Sequence, residues 1–356
     1  MASRILRTFI SARTAPAAFI CLALLPLPYA AFGQTAEEFY KNKSITMLVA
    51  SGAGGGYDTY ARVFARHFSR HLPGGPAIVA KNMPAAAGLA AANTLYNASD
   101  RDGATIAALT NGVAMDPLFG NPGARYDALA LNWLGSIGKL QNVCATWFAS
   151  PVKTIAAARE RALTVAAAGA TSNTAIVPKV LNALLGTRFK LIAGYDSGSG
   201  LTMALERGGT EGICGLSWST MKASRPHWIR DHKRNVLVQM GLQKLTDLPD
   251  VPSALDLVTD PESRQLLELI LIRQEAGRPF AAPPGVPPDR LDALRRAFVA
   301  TMQDSAFLAE AEKAQLEVDP LRRRGQGPPC PCLRRFSSNR APRRRPDRAH
   351  GAVITT

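Results

Sequence analysis

Ile45-Thr46-Met47-Leu48-Val49-Ala50-Ser51-Gly52-Ala53-Gly54-Gly55-Gly56-Tyr57-Asp58 runs from an apolar stretch through a glycine cluster to a helix start. The apolar run is short and ends in glycines, which reads as a buried strand. After it, Tyr57, Tyr60, Ala61, Phe64, Phe68 and Leu72 recur at helical spacing, with Arg62, Arg66 and Arg70 between them. That spacing predicts an amphipathic helix, stopped by Pro73-Gly74-Gly75-Pro76. A strand feeding a helix through a glycine loop is one β-α unit, and the reading of the chain grows from it.

The same rhythm continues on both sides. Ala77–Ala80 and Thr105–Leu109 read as strands, with Ala86–Leu95 helical by its alanine content. Leu163–Ala167 reads as a strand followed by a helix through Leu185, Phe189–Ala193 as the next strand, and Thr202–Glu206 as the next helix. Gly212–Gly215 and Val236–Met240 complete a second block. Alternation of this kind predicts parallel sheets covered by helices, and two such blocks predict two α/β lobes with a cleft.

The two ends differ from this body. Arg4, Arg7 and Arg13 precede an apolar stretch from Ala17 to Ala31 broken by Pro26 and Pro28, and small residues follow near Gly33. This is the pattern of a secretory signal peptide over residues 1–33, too short for a membrane span. From Leu321 the composition turns to Arg, Pro and Cys, with ten arginines against one acid, Asp347. Such a tail has no apolar period and reads as disordered. The formal charge of +15 therefore belongs mainly to the ends, leaving +3 on residues 34–320. A nucleic-acid-binding domain needs its charge on a folded face, so that class is excluded. Of five cysteines, Cys144 and Cys214 alone lie in the body. Their spacing leaves both a disulfide and two buried thiols open.

The glycine loop Ser51–Asp58 is the sharpest candidate for chemistry. Glycines let backbone approach a ligand, and N–H groups at a helix start attract an anion. The dinucleotide motif fails because Tyr57 stands where its last glycine belongs, and a phosphate-binding Walker loop fails because Tyr57-Asp58 replaces Lys-Ser. A small carboxylate fits better, with Asp58 capping the helix or holding a water; an ordinary strand-to-helix turn is the competing reading. Gly169-Ala170-Thr171-Ser172-Asn173 occupies the equivalent place in the second block, and Asn111 ends the third strand similarly. Ligands in open α/β sheets bind at this edge.

Catalytic and metal readings fare worse. Gly215-Leu216-Ser217-Trp218-Ser219 departs from the nucleophile-elbow pattern at its last position, and His227 and His232 lie in a charged stretch expected to be solvated. His67 and His71 have metal-ligand spacing but share that face with Arg70, lack a carboxylate partner and are expected to be exposed. No catalytic residue, metal or cofactor is assigned. An exported serine hydrolase using Ser217 and a sensor partner of a membrane kinase are the alternatives kept.

With these residues in order, the chain resembles the substrate-binding proteins of tripartite tricarboxylate transporters, the Bug-type receptors. The resemblance rests on Ser51–Asp58, Ala80-Lys81-Asn82-Met83-Pro84, Asn132–Ser136, Ala193–Ser197, Gly208–Ser219, Asp247–Pro252 and Ala281–Pro287, and covers residues 37–320. It implies a type II periplasmic-binding-protein fold of two Rossmann-like lobes with a hinged cleft. Lobe 1 is expected over 34–136 plus 240–320, and lobe 2 over 137–239. It implies capture of a small carboxylate, delivery to membrane permease subunits and a periplasmic monomer. Ligand contacts are implied at Ser51, Gly54, Gly55, Gly56 and Asp58, at Gly169, Thr171, Ser172 and Asn173, at Tyr195 and Asp196, and more loosely at Asn111 and Trp218. The chain departs from the family by alanines where glycines are usual, in Pro84–Gly88 and Ala167–Ala170. It departs again after Leu316–Pro320, where the Arg/Pro/Cys run replaces amphipathic helices. We read that junction as a change of reading frame near Leu321, natural or from a sequencing error.

Overall fold

A computed structural model describes residues 34–320. The expected signal peptide and the Arg/Pro-rich tail lie outside the described residues. The described residues from Thr35 to Pro320 belong to a single unit, within which two sheets form two layered lobes.

Lobe 1 opens with α1 (Ala36–Tyr40), whose Thr35 and Glu38 form a reciprocal capping box. Then follow β1 (Ser44–Val49), α2 (Gly56–His71), β2 (Ala77–Asn82), α3 (Leu89–Asn97), β3 (Thr105–Ala108) and β4 (Asn132–Ser136). The expected helix over 86–95 begins only at Leu89. Ala86 and Ala87 take left-handed backbone angles in a short 3-10 turn, with Gly88 left-handed after them. Alanine content alone favours helix, but the chain must turn here to bring Ala87 against the other lobe.

Lobe 2 contains β5 (Asn142–Trp147), α4 (Ala157–Glu160), β6 (Leu163–Ala167), α5 (Asn173–Leu185), β7 (Phe189–Ala193), α6 (Gly198–Glu206), β8 (Gly212–Ser217), α7 (Trp218–Ser224), α8 (Pro226–Arg230) and β9 (Arg234–Met240). The chain does not return to lobe 1 at residue 240. Helices α9 (Ala254–Leu257) and α10 (Pro261–Leu271) still pack on the second sheet, with Leu255, Leu267 and Leu271 in its core beside Val238. Lobe 2 thus runs past the boundary read at 239, because apolar positions in 254–271 find their burial on β9 rather than across the cleft. The return crossing is the 3-10 segment Ile272–Ala276, leading to β10 (Pro279–Ala282), α11 (Pro288–Thr301) and α12 (Ser305–Lys313).

The two sheets share one topology. Lobe 1 has the order β2-β1-β3-β10-β4 and lobe 2 the order β7-β6-β8-β5-β9. In each, three parallel strands are extended by an antiparallel strand that has just crossed from the other lobe, β10 in one and β5 in the other. The crossings Ile137–Gln141 and Ile272–Arg278 therefore feed the middle of each sheet, a two-strap hinge.

Lobe 1's core is aromatic. The Phe64 ring lies 4.8 Å from Phe68, 4.4 Å from Phe280 and 5.3 Å from Phe298. The outer end of α2 is held by α12. His67 is buried, and its Nε2 lies 2.5 Å from Glu310 Oε2; His71 Nε2 lies 2.9 Å from Asp304 Oδ2. The expectation that His67 would be exposed is corrected: its carboxylate partner comes from 243 residues away in sequence.

In lobe 2, Cys144 on β5 and Cys214 on β8 are register partners and form a disulfide.

Candidate functional site

The cleft between the lobes holds a cavity of about 140 Å³. Its walls are the loops at the C-terminal ends of the parallel strands, where helices begin. Three helix N-termini converge on it: α2 after β1, α5 after β6 and α6 after β7. The first N–H groups of a helix have no intrahelical acceptor, and together with the helix dipole they favour negative charge. Ser172 and Ser197 cap α5 and α6 through their side chains, whereas Gly55 caps α2 with no side chain at all.

The first-lobe loop is shaped by Asp58. Its carboxylate accepts from Gly54 N at 2.9 Å, Arg62 Nε at 2.9 Å and Asn82 Nδ2 at 2.7 Å. Asn82 Nδ2 also donates to Ser51 O at 2.9 Å. Burial pushes the Asp58 carboxyl upward, but these donors outweigh it and hold it below the ordinary carboxylate range. Asp58 is buried and does not line the cavity, nor does Gly54. Both were expected at the ligand; the structure makes them the clamp that holds Ser51, Gly55 and Gly56, which do line it.

The glycines also admit the other lobe. A Cβ on Gly56 would lie 2.4 Å from Thr220 Oγ1, and one on Gly52 would lie 2.9 Å from Ser197 Cβ. Gly52 N donates to Asp196 O at 3.2 Å and Ser199 Oγ to Ala53 O at 3.2 Å, so the lobes are closed on each other at this edge. Tyr195 and Asp196 line the cavity, with Asp196 exposed at its rim.

Asn111 is the hub of the opposite edge. Its Oδ1 accepts from Tyr57 Oη at 3.3 Å and from Asn173 Nδ2 at 3.3 Å, and its Nδ2 donates to Arg273 O at 3.2 Å. One buried side chain thus ties both lobes to the return strap. Burial raises the Tyr57 hydroxyl above the ordinary phenol range, which keeps it a neutral donor. Gly169, Thr171, Ser172 and Asn173 all line the cavity from lobe 2.

Trp218 does not wall the cleft. It is 2% exposed, belongs to a lobe 2 core cluster, and donates from Nε1 to Asp247 at 2.9 Å. A tryptophan one residue past a strand end satisfies its apolar ring better inside the lobe.

Residues absent from the sequence reading matter as much. Arg273 and Arg278, on the return strap, line the cavity at 4% and 2% exposure. Arg278 is fully engaged: Nη2 donates to Ser219 Oγ at 2.9 Å, and its guanidinium stacks 3.7 Å from the Tyr60 ring centre. The signal for both was legible as arginines embedded in the apolar run Leu266–Ala282, since a cation in such a stretch is rarely buried without a task. Asn142, at the start of β5, also lines the wall.

Ser217, the serine of the hydrolase reading, sits among hydroxyls and an arginine. Ser217 Oγ lies 2.9 Å from Ser219 Oγ and 3.4 Å from Arg278 Nη2, and none of the described cavity-lining side chains is a histidine. Among the described residues no group of three or more His, Cys, Asp or Glu is placed to hold a metal ion, and no helix is long and apolar enough to cross a membrane.

Two sheets of one topology, two hinge straps and a closed anion-attracting cleft define the class: the fold is that of the two-lobed periplasmic binding proteins. No family model and no curated protein matches the chain. Solved structures do. The periplasmic binding protein BugD is similar at 20% identity over 84% of this chain and 93% of its own, with a TM-score of 0.64. MatC from Rhodopseudomonas palustris with bound malate is similar at 19% identity over 83% of this chain and 96% of its own, with a TM-score of 0.63. A TctC solute-binding protein from Polaromonas is similar at 19% identity over 79% of this chain and 91% of its own, with a TM-score of 0.52.

Proposed function

We propose that this protein is an extracytoplasmic solute-binding receptor of the tripartite tricarboxylate type, which captures a small organic carboxylate and delivers it to membrane permease subunits. The observation that carries this reading is the closed interlobe cavity, where three helix N-termini and a buried arginine meet. Such a site supplies N–H donors and positive potential at fixed positions, which is what a carboxylate needs once stripped of water. The two straps allow the lobes to part for entry and to close for transport, and the closed surface is what a permease would recognise. The protein acts in the periplasm as a monomer and performs no chemistry on its ligand. That solved relatives in fold carry malate or adipate supports a carboxylate as cargo.

The test is thermal unfolding against a panel of mono-, di- and tricarboxylates, acidic amino acids and aromatic acids. A ligand that binds only the folded state raises stability by about 2.7 kcal/mol at a hundredfold excess over Kd. A well-folded protein that shifts with none of them would overturn the reading. Retention of binding in Ser217→Ala, with no esterase activity in the parent, is the expected companion result.

A further inference from the structure

A second hollow, of about 460 Å³, lies beside the ligand cavity and shares the walls Thr171 and Arg273 with it. Its remaining walls come from both lobes. Lobe 1 supplies the turn Asp116–Pro122, with the ring of Phe119 48% exposed. Lobe 2 supplies Ala170, Ile176 on α5 and Ile270 on α10. Pockets for small molecules measure roughly 300–1,000 Å³ and combine apolar walls with a few placed polar groups. This hollow has the size and the apolar walls.

Its charged groups are an acid and a cation side by side. Asp116 is 6% exposed and lines this hollow but not the ligand cavity. Among the described residues no donor bonds its carboxylate: the nearest charge, Arg273 Nη2, stands 3.8 Å from Oδ1, too far for a hydrogen bond. Burial therefore pushes the Asp116 carboxyl upward, with only the Arg273 charge opposing it. The carboxylate is not sealed in, since 8% of the side chain stays accessible. The Nη2 end of Arg273 lies on the same side, because its acceptor Thr171 O at 3.4 Å and its acid Asp116 both belong to walls of the hollow. A buried acid without donors is costly, and a ligand that brings N–H groups recovers the cost. A simple cation would be repelled by Arg273 and a simple anion by Asp116. A group that carries both charges close together satisfies the two at once.

We infer that this hollow is a second binding site, which takes an apolar α-amino acid with its ammonium on Asp116, its carboxylate on Arg273 and its side chain along Phe119, Ile176 and Ile270. An α-amino acid has its two charges on one carbon, which matches an acid and a cation standing next to each other. The apolar walls select the side chain. The site goes beyond the carboxylate cavity and does not rest on that cavity's ligand: its acid and its apolar walls belong to the second hollow alone.

The experiment is isothermal titration of the full chain with L-leucine and L-phenylalanine, each beside two analogues that lack one charge. These are 4-methylpentanoate and 3-methylbutylamine for leucine, and 3-phenylpropanoate and 2-phenylethylamine for phenylalanine. At least one amino acid is expected to bind about 10- to 100-fold more tightly than both of its analogues, the range for losing a charged hydrogen bond. Asp116→Asn keeps the shape of the side chain and is expected to weaken amino-acid binding at least about tenfold. Phe119→Ala changes an exposed ring outside the carboxylate cavity, so it can be read even if Asp116→Asn folds poorly, and is expected to weaken it at least about fivefold. No binding of either amino acid by folded parent, an analogue that binds as tightly as its amino acid, or an affinity unchanged in Phe119→Ala would each overturn the inference. The carboxylate reading would stand in all three cases, because its own panel decides it. Amino-acid binding that follows these variants in a protein that binds no acid of that panel would overturn that reading and keep this one.

Discussion

Ala87 of lobe 1 rests against Gly169 of lobe 2, so closely that a Cβ on Gly169 would lie 3.0 Å from both the Cβ and the N of Ala87. Both residues line the cavity. The contact is therefore part of the closed state and absent from any state in which the lobes part there. Gly169→Leu is expected to weaken carboxylate binding at least tenfold while leaving the unfolding temperature of the ligand-free protein within a few degrees of the parent. Titration calorimetry beside thermal unfolding checks this. Parent-like affinity would mean that closure does not pass through this contact.

The same turn carries strain. Ala86 and Ala87 have φ of 54° and 58°, where an L side chain meets its own carbonyl. Ala86→Gly removes that clash and gains about 1 kcal/mol, part of which is offset by the freer unfolded chain. Chemical denaturation is expected to show a higher midpoint with an unaltered slope. A lower midpoint would show that the alanine methyl contributes packing that outweighs the clash.

Cys144 and Cys214 close a loop of 70 residues in sequence between two central strands of lobe 2. Chain-entropy arguments assign such a crosslink about 4 kcal/mol. Unfolding under a thiol reductant, or in Cys144→Ser/Cys214→Ser, is expected to move to lower denaturant by a corresponding amount, and free-thiol titration of the native protein is expected to find this pair oxidised.

The α2–α12 staple predicts an acid limb. His71 chiefly, with Arg70 and backbone donors, holds the Asp304 carboxyl down to about 2 from an ordinary 3.8. Arg66 and then His67 hold Glu310 below its ordinary 4.5. Both folded values lie below the unfolded ones, so the stabilisation is complete above the unfolded values and is lost as pH falls through them toward 2. Asp304→Asn is expected to unfold at lower temperature than the parent at pH 7, and the gap is expected to close between pH 4 and 2. A gap constant over that window would show that the staple's charges do not contribute.

The β-α units were legible because a parallel strand and its covering helix sit side by side in sequence, each with its own period. Leu163–Ala167 and Phe189–Ala193 were read with the bounds the structure gives. Strands β4, β5 and β10 escaped that reading. They pair antiparallel with partners far away in sequence, so no neighbouring strand of the β-α rhythm marks their place. The lobe boundary was misplaced for the same reason: nothing local in Pro261–Leu271 says which sheet its apolar face will cover.

By itself the sequence determined the class of fold, the separation of the charged ends from a near-neutral body, and the donor-rich loops at Ser51–Asp58 and Gly169–Asn173, because these follow from local periodicity and backbone chemistry. Only the tertiary structure decided which polar groups remain unspent. Asp58 and Trp218 are consumed inside their own lobes, Asn111 is shared between lobes, and Arg273 is brought to the cavity with its acid on the far side. Whether a buried polar group has met its partner depends on residues distant in the chain, and that accounting exists only once the lobes have closed around it.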